Sequence, residues 1–145
     1  MGKSFLADIP ANSFQKVYTV ESVASNADSV IGSAALVAQA NLKLKRAWYI
    51  PWVDQGTIGT ATTSATYRRI QICNGGTAGT ATTIMASANI VASIASRGSK
   101  AFTTTSNNTA SGGEMIYFSA LTVGGNDDDG STLQSGLIQV EYELL

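Results

Sequence analysis

The chain has 145 residues, with nine basic and ten acidic side chains, one cysteine and no histidine. Its length suits one domain, which at this size buries roughly 70% of its unfolded surface. Without histidine, Ser-His and Cys-His catalysis are excluded, and a net charge of -1 argues against nucleic-acid binding by phosphate neutralisation. A lone Cys73 permits no intrachain disulfide and no cysteine-rich metal site, and within Ile70-Gln-Ile-Cys73 it reads as an inert buried thiol. No run approaches ~20 apolar residues, so no membrane-spanning helix is expected. Met1 to Ala7 holds too short an apolar stretch for a signal peptide. Charged residues make up only 13%, which suits tight sheets and a surface that faces other protein.

Residues 1–13 read as an extended N-terminal arm, with Phe5, Leu6 and Ile9 as isolated apolar anchors and Pro10 keeping Ile9 out of helix. These anchors are too few for a core of their own and are expected to dock outside the domain, which spans residues 14–145. The first strand runs from Phe14 to Val20. Phe14, Tyr18 and Val20 share a face, and Lys16 is the misfit on it. Residues 33–41 fit a short helix between Ser33 and Asn41 or a strand with Ala34, Leu36 and Ala38 on one face, the neighbouring runs favouring the strand.

Leu42 to Ile50 is a strand that ends at Pro51. Period 2 places Leu42, Leu44, Trp48 and Ile50 on its inner face and Lys43, Lys45, Ala47 and Tyr49 on the outer. Arg46 then falls on the apolar face, where it must snorkel or pair with a carboxylate. Tyr49 and Trp52 are left as candidates for an oligomer interface or for sugar stacking.

The phrase Gly56-Thr-Ile-Gly-Thr-Ala-Thr-Thr63 recurs as Gly76-Thr-Ala-Gly-Thr-Ala-Thr-Thr83, around a strand over residues 65–73. Two copies fall short of a solenoid and read as similar turns. Neither has the Gly-Lys-Ser/Thr ending of a phosphate loop. Residues 84–94 alternate as a strand, although Ile84, Ala88, Val91 and Ala95 would also line a helix; the sheet-like surroundings favour extended chain. A turn over residues 96–99 leads to a short strand over residues 100–105 and a polar loop over residues 106–113.

Residues 114–123 form a strand apolar on both faces, Met115, Tyr117, Leu121 and Val123 opposing Ile116, Phe118 and Ala120. Burial on both faces calls for a sandwich interior on one side and a neighbouring subunit or loop on the other. Ile116 and Phe118 are therefore further interface candidates. Asn126 to Asp129 supply oxygen ligands for calcium or simply a charged hairpin tip, and they lack the EF-hand spacing. The chain closes on a strand whose Ile138, Val140, Tyr142 and Leu144 oppose Gln139, Glu141 and Glu143. Every basic residue lies at or before Lys100, whereas Glu141 and Glu143 lie beyond it, so long-range pairing should bring them near an earlier strand. Lys16, Lys43 and Lys45 are the candidates. No carboxylate pair has the disposition of a glycosidase acid and base, and no enzymatic activity, cofactor or metal is expected.

Four stretches together resemble the small β-sandwich head decoration (cement) proteins of tailed bacteriophages. They are Leu44-Lys-Arg-Ala-Trp-Tyr-Ile-Pro-Trp52, Tyr67-Arg-Arg-Ile-Gln-Ile-Cys-Asn-Gly-Gly76, Gly112-Gly-Glu-Met-Ile-Tyr-Phe118 and Ser135-Gly-Leu-Ile-Gln-Val-Glu-Tyr-Glu143. The resemblance implies an all-β, antiparallel, jelly-roll-like sandwich. It further implies a homotrimer on the exterior of the virion that binds the major capsid protein and bridges capsomers, with no catalytic residues. The alternative from another class is a carbohydrate-binding or host-recognition module of a head fibre or tail.

Overall fold

The computed structural model describes residues 13–23, 29–30, 36–56, 67–91, 93–123 and 132–145. All regular structure among them is β-strand. Six strands are long, the first five being β1 (Ser13–Val20), β4 (Leu42–Pro51), β5 (Tyr67–Asn74), β6 (Thr83–Ile90) and β10 (Met115–Val123). The closing strand β11 (Gly136–Leu144) is as long as β10, and the short pieces are β2 (Ser29–Val30), β3 (Leu36–Val37), β7 (Lys100–Ala101), β8 (Thr103–Thr104) and β9 (Thr109–Ala110).

The strands form two antiparallel sheets packed face to face. One has the order β1-β11-β4-β7, with β9 also on β4; the other has the order β2-β10-β5-β6-β8, with β3 also on β10. If β2 with β3, and β7 with β9, each count as one interrupted strand, and β8 is set aside as the short excursion between β7 and β9 onto β6, the two orders are 1-8-3-6 and 2-7-4-5. That is the double Greek key of a jelly roll. The anticipated jelly-roll-like sandwich is therefore the fold observed, and over Leu36–Val37 the strand reading holds.

Alternation in β11 sets the interior. Ile138 and Val140 are buried, and Tyr142 and Leu144 pack against the core, while Gln139, Glu141 and Glu143 face outward. From the opposite sheet, Ile70 and Ile72 of β5, Ala86, Ala88 and Ile90 of β6, and Phe118 and Ala120 of β10 meet them. Arg68 lies on the same inward row of β5 and is only 2% exposed, a cation enclosed at one end of the sandwich.

Two β-bulges redirect the strands. On β4, Glu141 pairs with Arg46 but Tyr142 pairs with Leu44, so Lys45 is the extra residue. An extra residue reverses every side chain beyond it. Leu42 and Leu44 point inward before the bulge; Ala47, Tyr49 and Pro51 do so after it. This corrects the period-2 reading: Trp48 and Ile50 lie on the outer face, and Tyr49 belongs to the core. Both Lys45 and Arg46 reach solvent, which resolves the misplaced charge on the apolar face. On β6, Met85 is the extra residue opposite Ile72 and Cys73, and it is fully buried.

Residues 100–110 use these bulges to close one side of the sandwich. The segment pairs with β4 at Trp48 and Tyr49, crosses to β6 at Ala86 and Ser87, and returns to β4 at Leu42 and Lys43. At the crossing, Phe102 N–H donates to Ala47 O at 2.9 Å and Thr105 N–H to Met85 O at 2.9 Å, while Asn108 Nδ2 donates to Leu44 O at 2.9 Å. The edges of β4 and β6 are thereby satisfied by one strap, which removes them as templates for aggregation. The outer side of β10, expected to need a subunit or loop, is partly covered by the β5–β6 turn: Tyr117 Oη donates to Ala81 O at 3.2 Å, and a Cβ on Gly79 would meet Met115 Sδ at 2.8 Å.

The other end of the sandwich is fixed by a buried polar knot. Tyr49 Oη donates to Gln134 O at 2.6 Å, and Gln134 N–H donates to Gln55 Oε1 at 2.8 Å. Gln55 Nε2 donates to Thr132 O at 3.2 Å. Burial pushes the Tyr49 phenol well above its ordinary range, so it stays a donor at any physiological pH. Where β11 leaves this knot it passes so close to β4 that a Cβ on Gly136 would collide with Ile50 O and lie 2.8 Å from Pro51 Cα. Gly136→Ala should cost about 1–3 kcal/mol in chemical denaturation. Gly56→Ala, where a Cβ meets nothing within 4 Å, is the control and should change far less. Equal effects at the two positions would contradict this packing.

Candidate interaction surfaces

The outer face of the β1-β11-β4 sheet is graded along the strands. At one end it is charged: Arg46 Nη2 and Nε donate to Glu141 Oε2 at 2.7 and 3.2 Å, and Lys45 Nζ lies 3.6 Å from Glu143 Oε1. The guanidinium of Arg46 also sits 5.5 Å from the centre of the Trp48 ring. Glu141 and Glu143 thus meet basic side chains of an earlier strand. Lys45 was among those expected; Arg46 enters because the bulge brings it to the same face.

Beyond the charged rows the face becomes apolar. Register sets Val17, Gln139, Trp48 and Ala101 in one row across the sheet, and Thr19, Leu137 and Ile50 in the next. Val17 is 52% exposed, and Trp48, Ile50 and Leu137 are half-buried. At the end of this face, Trp52 and Val53 project from the loop after β4, each about half exposed. Their backbone is fixed: Trp52 N–H donates to Ser135 O at 3.0 Å, Ser96 Oγ donates to Trp52 O at 2.9 Å, and Ser96 N–H donates to Asp54 Oδ1 at 2.7 Å. An apolar pair held on a rigid loop loses little conformational entropy when a partner covers it.

Of the residues expected at an oligomer interface, only Trp52 is presented freely. Tyr49 is 0% exposed and Phe118 is buried, so both are corrected to core residues. For Tyr49 the cause is the Lys45 bulge; Phe118 faces the opposite sheet, its ring tilted against that of Tyr18 with the centres 5.2 Å apart. Ile116 is half-buried and packs against the core. Phe5, Leu6 and Ile9 of the arm lie outside the described residues, as do Asn126 to Asp129. Val17 and Trp48 were missed because neither stands out until the register is known.

On the outer face of the second sheet, Arg69 donates to Asn89 Oδ1 at 3.0 Å and to Tyr67 Oη at 2.7 Å. Cys73 is buried among Gln71, Tyr117 and Ser119, and burial pushes its thiol up, which leaves it protonated and unreactive. Glu114 accepts from Ser111 N–H and Asn74 Nδ2, each at 2.7 Å, and these bonds hold its carboxyl below the usual range. They tie the β9–β10 turn to β5. Among the described residues no three His, Cys, Asp or Glu side chains converge on a metal position.

No protein-family model and no curated protein matches the chain. Among solved structures it is similar to that of infectious bursal disease virus strain Gt, with a TM-score of 0.32 at 10% identity over 92% of this chain. The strain Gx structure gives a TM-score of 0.31 at 13% identity, also over 92% of this chain. The chain spans only 36% and 37% of those two chains. Nothing about function follows from likeness at that level.

The charged rows are testable. Reversing Glu141 and Glu143 to Lys should cost about 0.2–1 kcal/mol for each lost pair, more at low salt than at high salt. Adding Lys45→Glu and Arg46→Glu should restore most of it. Urea midpoints that ignore both the reversal and the salt would show that these pairs set no register.

Proposed function

We propose that this chain is a capsid decoration (cement) subunit: a non-enzymatic protein that binds the outside of a tailed-phage head as a homotrimer and bridges the major capsid protein of neighbouring capsomers. The observation that carries this reading is the graded outer face of the β1-β11-β4 sheet. Val17, Trp48, Ile50 and Leu137 form an apolar surface there, continued by the fixed Trp52–Val53 loop. A face of this kind, apolar beyond two rows that hold ion pairs, is suited to protein contact. The sequence resemblance supplies the capsid as partner, and the lack of histidine fits a role played by binding. In this reading the arm residues Phe5, Leu6 and Ile9 add a second, weaker attachment, and three arms per trimer gain avidity of about 10²–10⁴-fold.

A second reading draws on one feature. Trp52 is an exposed aromatic on a rigid distal loop, the form a sugar-stacking platform takes in a carbohydrate-binding or host-recognition module. Tyr49, its expected companion, is enclosed, which leaves that platform a single ring.

Native mass spectrometry and sedimentation with capsids stripped of decoration separate the two. Cement predicts three chains per particle and saturable capsid binding that falls at least tenfold with Val17→Lys together with Trp52→Ala. A monomer that ignores capsids and binds glycans through Trp52 would overturn it.

A further inference from the structure

The two sheets do not meet along their whole length. At the end where β1 begins and β11 finishes they part, leaving a cavity of about 450 Å³ open to solvent. Its walls are the inner faces of both sheets: Leu44 and Val140 from one, Ile72, Met85 and Phe118 from the other. The mouth is framed by Lys16, Tyr18 and Val37. We propose that this cavity binds a single-chain aliphatic carboxylate, a fatty acid, with its tail between the sheets and its carboxylate against Lys16.

Size, lining and charge each point the same way. The volume lies within the roughly 300–1,000 Å³ typical of small-molecule sites. The walls offer a tail methyl and methylene contacts, and the polar side chains of the lining are those of Lys16, Tyr18, Gln39 and Tyr142. Among the described residues, Lys16 is the one charged residue lining the cavity, and no Asp or Glu lines it. Its position explains the misfit lysine of β1: register puts Lys16 on the inward row with Phe14, Tyr18 and Val20, opposite Val140. Yet the residue is exposed, its ammonium 5.5 Å from the Tyr18 ring, and no carboxylate among the described residues pairs with it. A cation at the rim of a mainly apolar cleft matches an amphiphile with an anionic head. One lysine is too little for a bilayer surface, which recruits clusters of basic residues.

The test is calorimetric titration of the full, lipid-stripped chain with octanoate, decanoate and dodecanoate below their micelle concentrations, alongside decanol. Affinity should rise roughly fourfold per added methylene until the cavity is full. Lys16→Glu should weaken decanoate at least tenfold and leave decanol unchanged. Val37→Trp, at an exposed position of the mouth, should weaken both ligands while the circular dichroism stays native. Decanoate should shift the methyl resonances of Ile72 and Met85. No binding, or binding indifferent to chain length and to Lys16, would overturn the proposal. So would a peptide of residues 1–12 that displaces decanoate at lower concentration, or a second copy of the chain that closes the cavity as concentration rises, since either would make protein the occupant.

Discussion

The structure depends on one strand pairing. β11, the last stretch of the chain, lies between β1 and β4 and pairs with both along almost its full length, from Ser13 opposite Glu143 to Gly136 opposite Pro51. A strand in the middle of a sheet must satisfy its backbone on both sides. Here the partners come from the first and second long strands. Nearly every strand pairing of this sheet is therefore long-range, which makes folding slow and leaves β1 and β4 without their shared partner until β11 joins them. Once β11 is in place, its inward residues meet β5, β6 and β10, and its outward glutamates reach Lys45 and Arg46.

What the sequence disclosed followed the strength of its alternation. β11 reads cleanly because from Ile138 to Leu144 it alternates apolar and polar residues without a break, and both its faces are as expected. The pairing of its glutamates was legible too, because all the basic residues precede them in the chain. β4 misled beyond Lys45, since a bulge adds a residue with no marker in composition and reverses Trp48 and Tyr49 together. The sign that could have exposed it was Arg46, a charge in an apolar row. Lys16 was the same kind of signal, and there the register was right: the lysine does face inward, but at the cavity rim. A charge out of phase therefore has two physical meanings, a shifted register or an opening, and only the fold distinguishes them.

The two ends of the sandwich differ in a way that separates their roles. At one end Tyr49, Gln55 and Gln134 bind three loops into a fixed base, and Trp52 and Val53 are displayed from it. Buried, fully bonded polar groups of this sort impose a single arrangement because any alternative leaves donors unpaired. The opposite end is incompletely filled between the sheets, with Val37 exposed at the cavity. Rigid display suits a protein contact, and an open apolar cleft suits a small amphiphile. The jelly roll accommodates both because the strap over residues 100–110 seals its side independently of either end.

The dependence on β11 is tested most directly by native-state hydrogen exchange. Amides of residues 137–143 should exchange only through global unfolding, with free energies equal to that measured by denaturant and matched by the β4 amides bonded to them. If β11 exchanges by a lower-energy opening while β5 and β6 remain protected, the second sheet stands without it, and β11 is not the strand on which this fold depends.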